Sequence, residues 1–182
     1  MATDLIEISG SGKTKPTLQL DVVALQELVR EAAAILAPSL NDHRLTLDLE
    51  LPEQPVLFFG DRARLIQAVT GLIDHALRWA SEGSRISIQL SQAVPEEWQL
   101  AVTHDIAGSR SDFARALDTY ARFGGEVEEH LGLGLRLAKE IVELHHGKFW
   151  LEGEPGQSSR LIVNLPSLER QRRSPSFPPG PR

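Results

Sequence analysis

The stretch GLIDHALRWA, residues 71–80, sets one ionisable ring beside an apolar helix face. Leu72, Ile73, Ala76, Leu77 and Ala80 recur at three- and four-residue spacings and share a face. His75 stands next to that stripe, with Asp74 before it. An imidazole there is either a half-buried structural residue or a group placed for chemistry. A second candidate lies in GLGLRLAKEIVELHHG, where Gly132 and Gly134 open another periodic segment. Glycines let the backbone approach an anion closely, and the free N–H groups and positive dipole end of the following helix favour a phosphate. SGSGKT, residues 9–14, looks like the end of a phosphate-binding loop. However, Glu7 stands where that pattern needs its first glycine, and Pro16 disfavours a helix directly after. A polar linker explains it better. His145 and His146 fall at a helix C-terminus, where the dipole favours them, and His43 and His130 read as loop residues. No spacing brings three or four metal ligands together, so no metal site is assigned.

The elements that must position these groups alternate along the chain. Residues 22–37 predict a helix that ends before Pro38, and the strict alternation of LTLDLEL (45–51) predicts a half-buried strand. VLFF (56–59) is a short strand candidate. Asp61 caps a helix running to about Ala80, closed by Gly83. RISIQL (85–90) and WQLAVTH (98–104) form a hairpin around the turn-like QAVPEE. Helices follow over residues 112–122 and 135–147, and KFWLEG with SRLIVNLP makes a last hairpin. Several strands pair as hairpins and alternate polar with apolar residues. The expected fold is an α/β two-layer sandwich: a mixed, mostly antiparallel sheet with helices packed on one face.

Composition narrows the classes. At 182 residues the chain suits one domain with a sizeable core. The absence of cysteine excludes disulfides, thiolate zinc sites and thiol nucleophiles. A formal charge of −6 argues against nucleic-acid binding. No apolar run approaches the roughly 18 residues of a membrane span, and the N-terminus lacks a secretory pattern. Both point to a cytoplasmic address with no membrane insertion. The stretch from 167 to 182, SLERQRRSPSFPPGPR, has no apolar periodicity and is expected to be a disordered tail.

From Asp61 onward the chain resembles the ATP-binding catalytic domain of sensor histidine kinases, within the superfamily that includes gyrase, Hsp90 and MutL. Five blocks carry the resemblance in the family's order. GDRARLIQAVTGLIDHALRWA is similar to the helix of the asparagine box, and WQLAVTHDIAGS to the first glycine box. FARALDTYARFGG takes the place of the phenylalanine-containing box. HLGLGLRLAKEIVELHHGKFWLEG resembles the second glycine box with the helix and strand beyond it, and SSRLIVNLP the closing strand. DLIEISGSGK resembles the end of a dimerisation helix and its linker. The implied organisation is linker in 1–16, catalytic domain in 17–166 and tail in 167–182, with a Bergerat-type ATPase fold.

The resemblance also implies roles. ATP is the implied ligand, and Gly132, Leu133, Gly134 and Leu135 would hold its phosphates. Arg78 falls where the family often has a phosphate-contacting lysine. His75 occupies the place of an asparagine that ligates Mg²⁺, and Gly71 that of a polar residue four positions earlier. Magnesium wants oxygen ligands, so an imidazole there puts Mg²⁺ in doubt, and ATP binding is expected to be weakened. A protonated His75 could touch phosphate but would not recruit the metal. In the first glycine box, strand alternation puts His104 in the register of the family's adenine-binding aspartate, with Ile106 and Gly108 at the two glycines. A slip by one residue would instead make Asp105 the adenine contact, at the expense of a bulge. Asp105 and Gly108 are both carried as candidates. The abbreviated lid GGEVEEHL places three acids near the implied triphosphate.

The implied activity is transfer of the γ-phosphoryl group to a histidine on a dimerisation domain, with a response regulator downstream. No histidine precedes His43, so that acceptor is expected outside this chain, on a partner or second protomer. No catalytic residue is assigned within it. The alternative is a degenerate pseudokinase module that acts by dimerisation or docking.

Overall fold

A computed structural model describes residues 17–105, 132–153 and 158–174. Its central sheet has five strands in the order β2-β4-β5-β7-β6: β2 (Thr46–Glu50), β4 (Arg85–Val94), β5 (Glu97–Asp105), β7 (Ser158–Pro166) and β6 (Lys148–Gly153). Only β2 and β4 run parallel, and the other neighbours are antiparallel. A separate antiparallel ribbon pairs β1 (Leu20–Ala24) with β3 (Leu57–Asp61). Helices α1 (Leu25–Asp42), α2 (Arg62–Trp79) and α3 (Gly132–Leu144) pack on the central sheet, and a short α4 (Leu168–Arg172) follows β7.

Strand alternation decides which side the helices take. Ile86, Ile88, Leu90, Leu100, Val102, Leu161, Val163 and Leu165 are buried in one core with Leu28, Val29, Leu72, Ile73, Leu135 and Ile141 from the helices. The intervening residues include Gln99, whose amide donates to Asn164 at 3.1 Å and whose carbonyl accepts from Arg160 at 3.4 Å. One face is therefore apolar and covered by helices, the other largely polar, as the alternation of the strands predicts.

Four boundaries differ from expectation, each for a tertiary reason. Residues 22–24 fit a helical pattern but lie in β1, where Val22 pairs with Phe59 and Val23 with Phe58. Helix α1 then starts at Leu25, whose N–H donates to Val56 at 2.9 Å. Second, α1 passes through Pro38 instead of ending before it. Pro38 and Ala34 are both exposed, so the carbonyl that loses its helical donor can face water. Leu40, 5% exposed, is thereby carried into the core. Third, the turn between β4 and β5 is confined to Pro95-Glu96, with Glu96 at φ 68° and a register shift between Gln92 and Val94. Fourth, the expected tail does not begin at 167. Ser167 caps α4 by accepting from the Arg170 N–H, and Gln171 bonds both the N–H (2.9 Å) and the carbonyl (2.8 Å) of Phe59. That side chain closes the outer edge of β3 as a strand would.

Gln26 is a buried polar residue on α1 that helical periodicity does not flag. Its amide donates to the carbonyls of Pro52 (3.2 Å) and Gln54, and its oxygen accepts from Val56 at 2.9 Å. With every bond made, it pins the loop between β2 and β3 to α1. The expected helix at 112–122 and the linker in 1–16 lie outside the described residues.

Candidate functional site

Helix α2 is anchored at its first turn. The Asp61 carboxylate accepts from the N–H of Arg64 (3.1 Å) and of Gln19 (3.0 Å), so one side chain caps the helix and holds the approach to β1. Burial pushes the Asp61 carboxyl up. The two backbone donors and the Arg64 charge outweigh that and leave it below the usual carboxylate range, with a smaller contribution from His145 only where acid protonates its ring. The Asp61 N–H in turn donates to His145 Nε2 at 2.9 Å. His145 Nδ1 lies 2.7 Å from the carbonyl of Ile141 and must donate to it, which fixes the tautomer. Burial lowers the His145 pKa, so the ring is held neutral. The histidine expected to serve only a helix terminus thus ties the end of α3 to the start of α2.

Three turns along, α2 brings His75 against β5. The His75 ring lies 6.2 Å from that of His104, nearly edge-on at 69°, and 6.1 Å from Trp79. Both histidines are buried, at 8% and 2% exposure. His104 Nδ1 is 3.2 Å from the Asp105 carbonyl and donates to it, leaving Nε2 as an acceptor. That Nε2 is buried without a hydrogen-bond partner among the described residues. Burial lowers the His104 pKa, partly opposed by the bond to the Asp105 carbonyl and by the Asp105 charge. Across the strand pair, His104 is in register with Ser159, whose buried Oγ also lacks a partner among the described residues. Directly paired residues share a face with Cβ atoms about 5 Å apart. An imidazole acceptor and a hydroxyl are therefore carried by neighbouring positions at one end of the sheet, the imidazole beside α2.

Strand register also places Asp105. The β5–β7 pairing is unbroken from Glu97 to Asp105, with no bulge, so Asp105 points to the face opposite His104 and is exposed. Arg78 is exposed and bonds Asp74 through Nε at 2.9 Å, one turn back on α2. Gly132 opens α3; Leu133 is 71% exposed, Gly134 is half-buried, and Leu135 is in the core. Gly108, Ile106, His130 and the lid lie outside the described residues. The fold thus brings His75 to His104, pairs His104 with Ser159 across the strands, and sets Asp105 on the opposite face. Ser159 carried no sequence signal beyond its alternation within β7.

Gly71 has a packing role. A Cβ built on it would stand 2.6 Å from the Gly134 carbonyl oxygen, so the bare Cα of Gly71 lets α2 meet the backbone of α3. The polar residue that the resemblance implies at this place would not fit without a shift of α3.

The donors around α2 do not suit Mg²⁺. His75 offers nitrogen from a buried ring, and the Asp74 carboxylate is engaged by Arg78. Among the described residues no group of three or more His, Asp or Glu converges on one point.

Comparison with known proteins matches the chain to one family model, described as histidine kinase-, DNA gyrase B-, and HSP90-like ATPase, over residues 60–169. The chain is 26% identical over 168 residues to the adaptive-response sensory kinase SasA of Crocosphaera subtropica, covering 91% of this chain and 44% of that protein. It is 29% identical to the alginate biosynthesis sensor protein KinB of Pseudomonas aeruginosa, covering 91% and 28%. With the sensor protein DivL of Caulobacter vibrioides the identity is 28%, covering 92% and 21%. The chain therefore spans less than half the length of these relatives. Among solved structures, the catalytic domain of histidine kinase ThkA superposes with a TM-score of 0.66 at 19% identity, covering 82% of this chain and 96% of that one. The Acinetobacter baumannii histidine kinase AdeS gives 0.65 at 22%, covering 85% and 70%. These likenesses establish the α/β sandwich as the fold of histidine kinase catalytic domains.

Proposed function

The chain belongs to the family of histidine kinase-, DNA gyrase B- and HSP90-like ATPases, and we propose that it is the ATP-binding catalytic domain of a two-component sensor kinase. In that role it presents ATP to a histidine on a dimerisation domain. The histidine nitrogen attacks the γ-phosphorus, ADP leaves, and a response regulator then receives the phosphoryl group. Such transfer relies on positioning and charge stabilisation more than on covalent work by the protein.

One observation carries the reading: His104 Nε2, beside α2, and Ser159 Oγ, on its strand partner, are both buried without a hydrogen-bond partner among the described residues. Buried polar atoms ordinarily find partners, and an acceptor beside a hydroxyl complements the amino-and-ring-nitrogen edge of adenine. Residues 132–135 open α3, where the first N–H groups of a helix have no partner within it and favour phosphate; Arg78, exposed on α2 and bonded to Asp74, is a further candidate cation. Asp105 and Gly108 stay secondary candidates: Asp105 faces away from His104, and Gly108 is carried by the family resemblance alone.

A second reading, a docking module in which Mg·ATP binding is weak, is favoured by His75. Its ring is buried against His104 at the place where the family has a magnesium ligand. Calorimetric titration with a non-hydrolysable ATP analogue, with and without Mg²⁺, separates the two. Binding that is insensitive to Mg²⁺ and lost in His104→Ala supports nucleotide binding without the metal. Micromolar, Mg²⁺-dependent binding would overturn the mismatch at His75. No binding at millimolar nucleotide, with the fold intact, would leave the docking module.

A further inference from the structure

The strongest unexplained surface lies where the β1–β3 ribbon meets the ends of α3 and α4, and its lining does not include His75. Leu20 and Val22 on β1 and Leu57 on β3 are 43%, 46% and 44% exposed. Leu20 and Val22 alternate along one strand, and Val22 pairs with Phe59, so they share the ribbon's outer face. Beside that face is a cavity of about 240 Å³ walled by Leu18, Leu20, Phe59, Leu144 and Pro166. Of the polar groups around it, His145 bonds Asp61 and Ile141, Gln171 bonds Phe59 and Arg170 bonds Glu97, while His146 and Ser174 complete the lining. The cavity thus calls for an apolar occupant, and about 150 Å³ is enough for a benzene ring.

We propose that the occupant is Phe177, from the segment that continues beyond Ser174. Ser174 itself lines the cavity, so the rest of the chain leaves from its rim. That segment reads PSFPPGPR, and Phe177 is its one large apolar side chain. Three residues span about 10 Å when extended, which brings the ring within reach of Phe59 and Leu144. Pro175, Pro178 and Pro179 flank it. A proline-rich strand has little conformational entropy to lose, and aromatic-lined apolar grooves are its usual receptors. A tether this short also gives an effective concentration in the millimolar range, so a single ring can dock without a large interface. Docked there, the segment covers Leu20 and Val22 and braces β1, the strand through which residues 1–16 join the domain.

The test compares the full chain with Phe177→Ser by methyl NMR and hydrogen exchange. The ring should hold the Leu18, Leu20 and Leu144 methyls at ring-shifted positions that are lost in the variant. Exchange at the Val22 and Phe59 amides should quicken, while α2 and β5 stay unchanged. Adding the peptide PSFPPGPR to the variant should restore the shifts, and PSSPPGPR should not. Methyls that do not move in Phe177→Ser would overturn the proposal. So would methyls that respond to dilution or to deletion of residues 1–16, which would assign the cavity to a second copy or to the preceding segment.

Discussion

Gly71 and Gly134 touch backbone to backbone: a Cβ on Gly71 would stand 2.6 Å from the Gly134 carbonyl oxygen. The helix that carries His75 and the helix that opens with GLGL are thus set against each other by the absence of a side chain at Gly71; a Cβ on Gly134 would meet Gly71 only at an ordinary 3.6 Å. At the same place the resemblance leads one to expect a polar side chain.

Gly71→Ala should therefore push α3 away from α2. Overpacking of this kind costs about 1–3 kcal/mol, and the contact is with backbone, which yields less readily than a flexible side chain. The helix propensity gained on leaving glycine, about 1 kcal/mol, offsets part of it. Urea denaturation should show a net loss of stability, and a gain would mean that the two helices can separate freely.

His145 and His104 should make the fold acid-sensitive in one window. Burial lowers the pKa of each in the folded state below the ordinary histidine value of 6.5. The unfolded chain then binds protons first as the pH falls. The stability these neutral rings contribute is complete above about 6.5, and it is lost as the pH drops through the lowered folded values. Each can add a slope of up to about 1.4 kcal/mol per pH unit in that window. His145→Gln should flatten the slope measured by urea titration between pH 7 and 5. Asp61 acts in a lower window. Its folded pKa is depressed, so its contribution is present above 3.8 and is lost as the pH falls through the lower folded value.

His145→Ala should also destabilise at neutral pH. It leaves the Asp61 N–H without its acceptor and opens space beside Phe58, whose ring centroid is 6.0 Å from that of His145. A buried unmet donor and a cavity together cost roughly 2–4 kcal/mol. Thermal melts check this, and a loss below about 0.5 kcal/mol would show that water substitutes for the ring.

His75→Asn restores an oxygen donor on α2. Affinity for an ATP analogue should rise only when Mg²⁺ is present, by about tenfold, or 1.4 kcal/mol. His104→Asp should change affinity without altering the dependence on Mg²⁺. Calorimetry of both variants and the double variant tests whether the rings, 6.2 Å apart, act separately.

Gln171→Ala should loosen the C-terminal end of the domain. It removes two hydrogen bonds to the Phe59 backbone, worth about 1 kcal/mol each, and uncovers the edge of β3. Faster exchange of the Phe59 amide with little change at β5 is the expected signature.

Much of this architecture is written locally. The alternation of LTLDLEL and RISIQL, the Asp61 cap and the periodic face of GLIDHALRWA each depend on residues within one or two turns of one another. Those features carry over directly into β2, β4 and α2. The five blocks of family resemblance lie in the same local strings. Elsewhere tertiary partners override the local pattern: Phe58 and Phe59 draw residues 22–24 into a strand, and Gln171 orders part of an expected tail. The site divides in the same way. Sequence marks His75 as the odd residue of its helix. Its partner depends on the parity of β5, because one bulge would exchange His104 for Asp105, and only the pairing with Ser158 and Ser159 excludes it. By itself the sequence determined the elements, the family and the exceptional ring on α2. The tertiary structure decided what that ring touches, because strand register and helix approach are set by contacts between residues far apart in the chain.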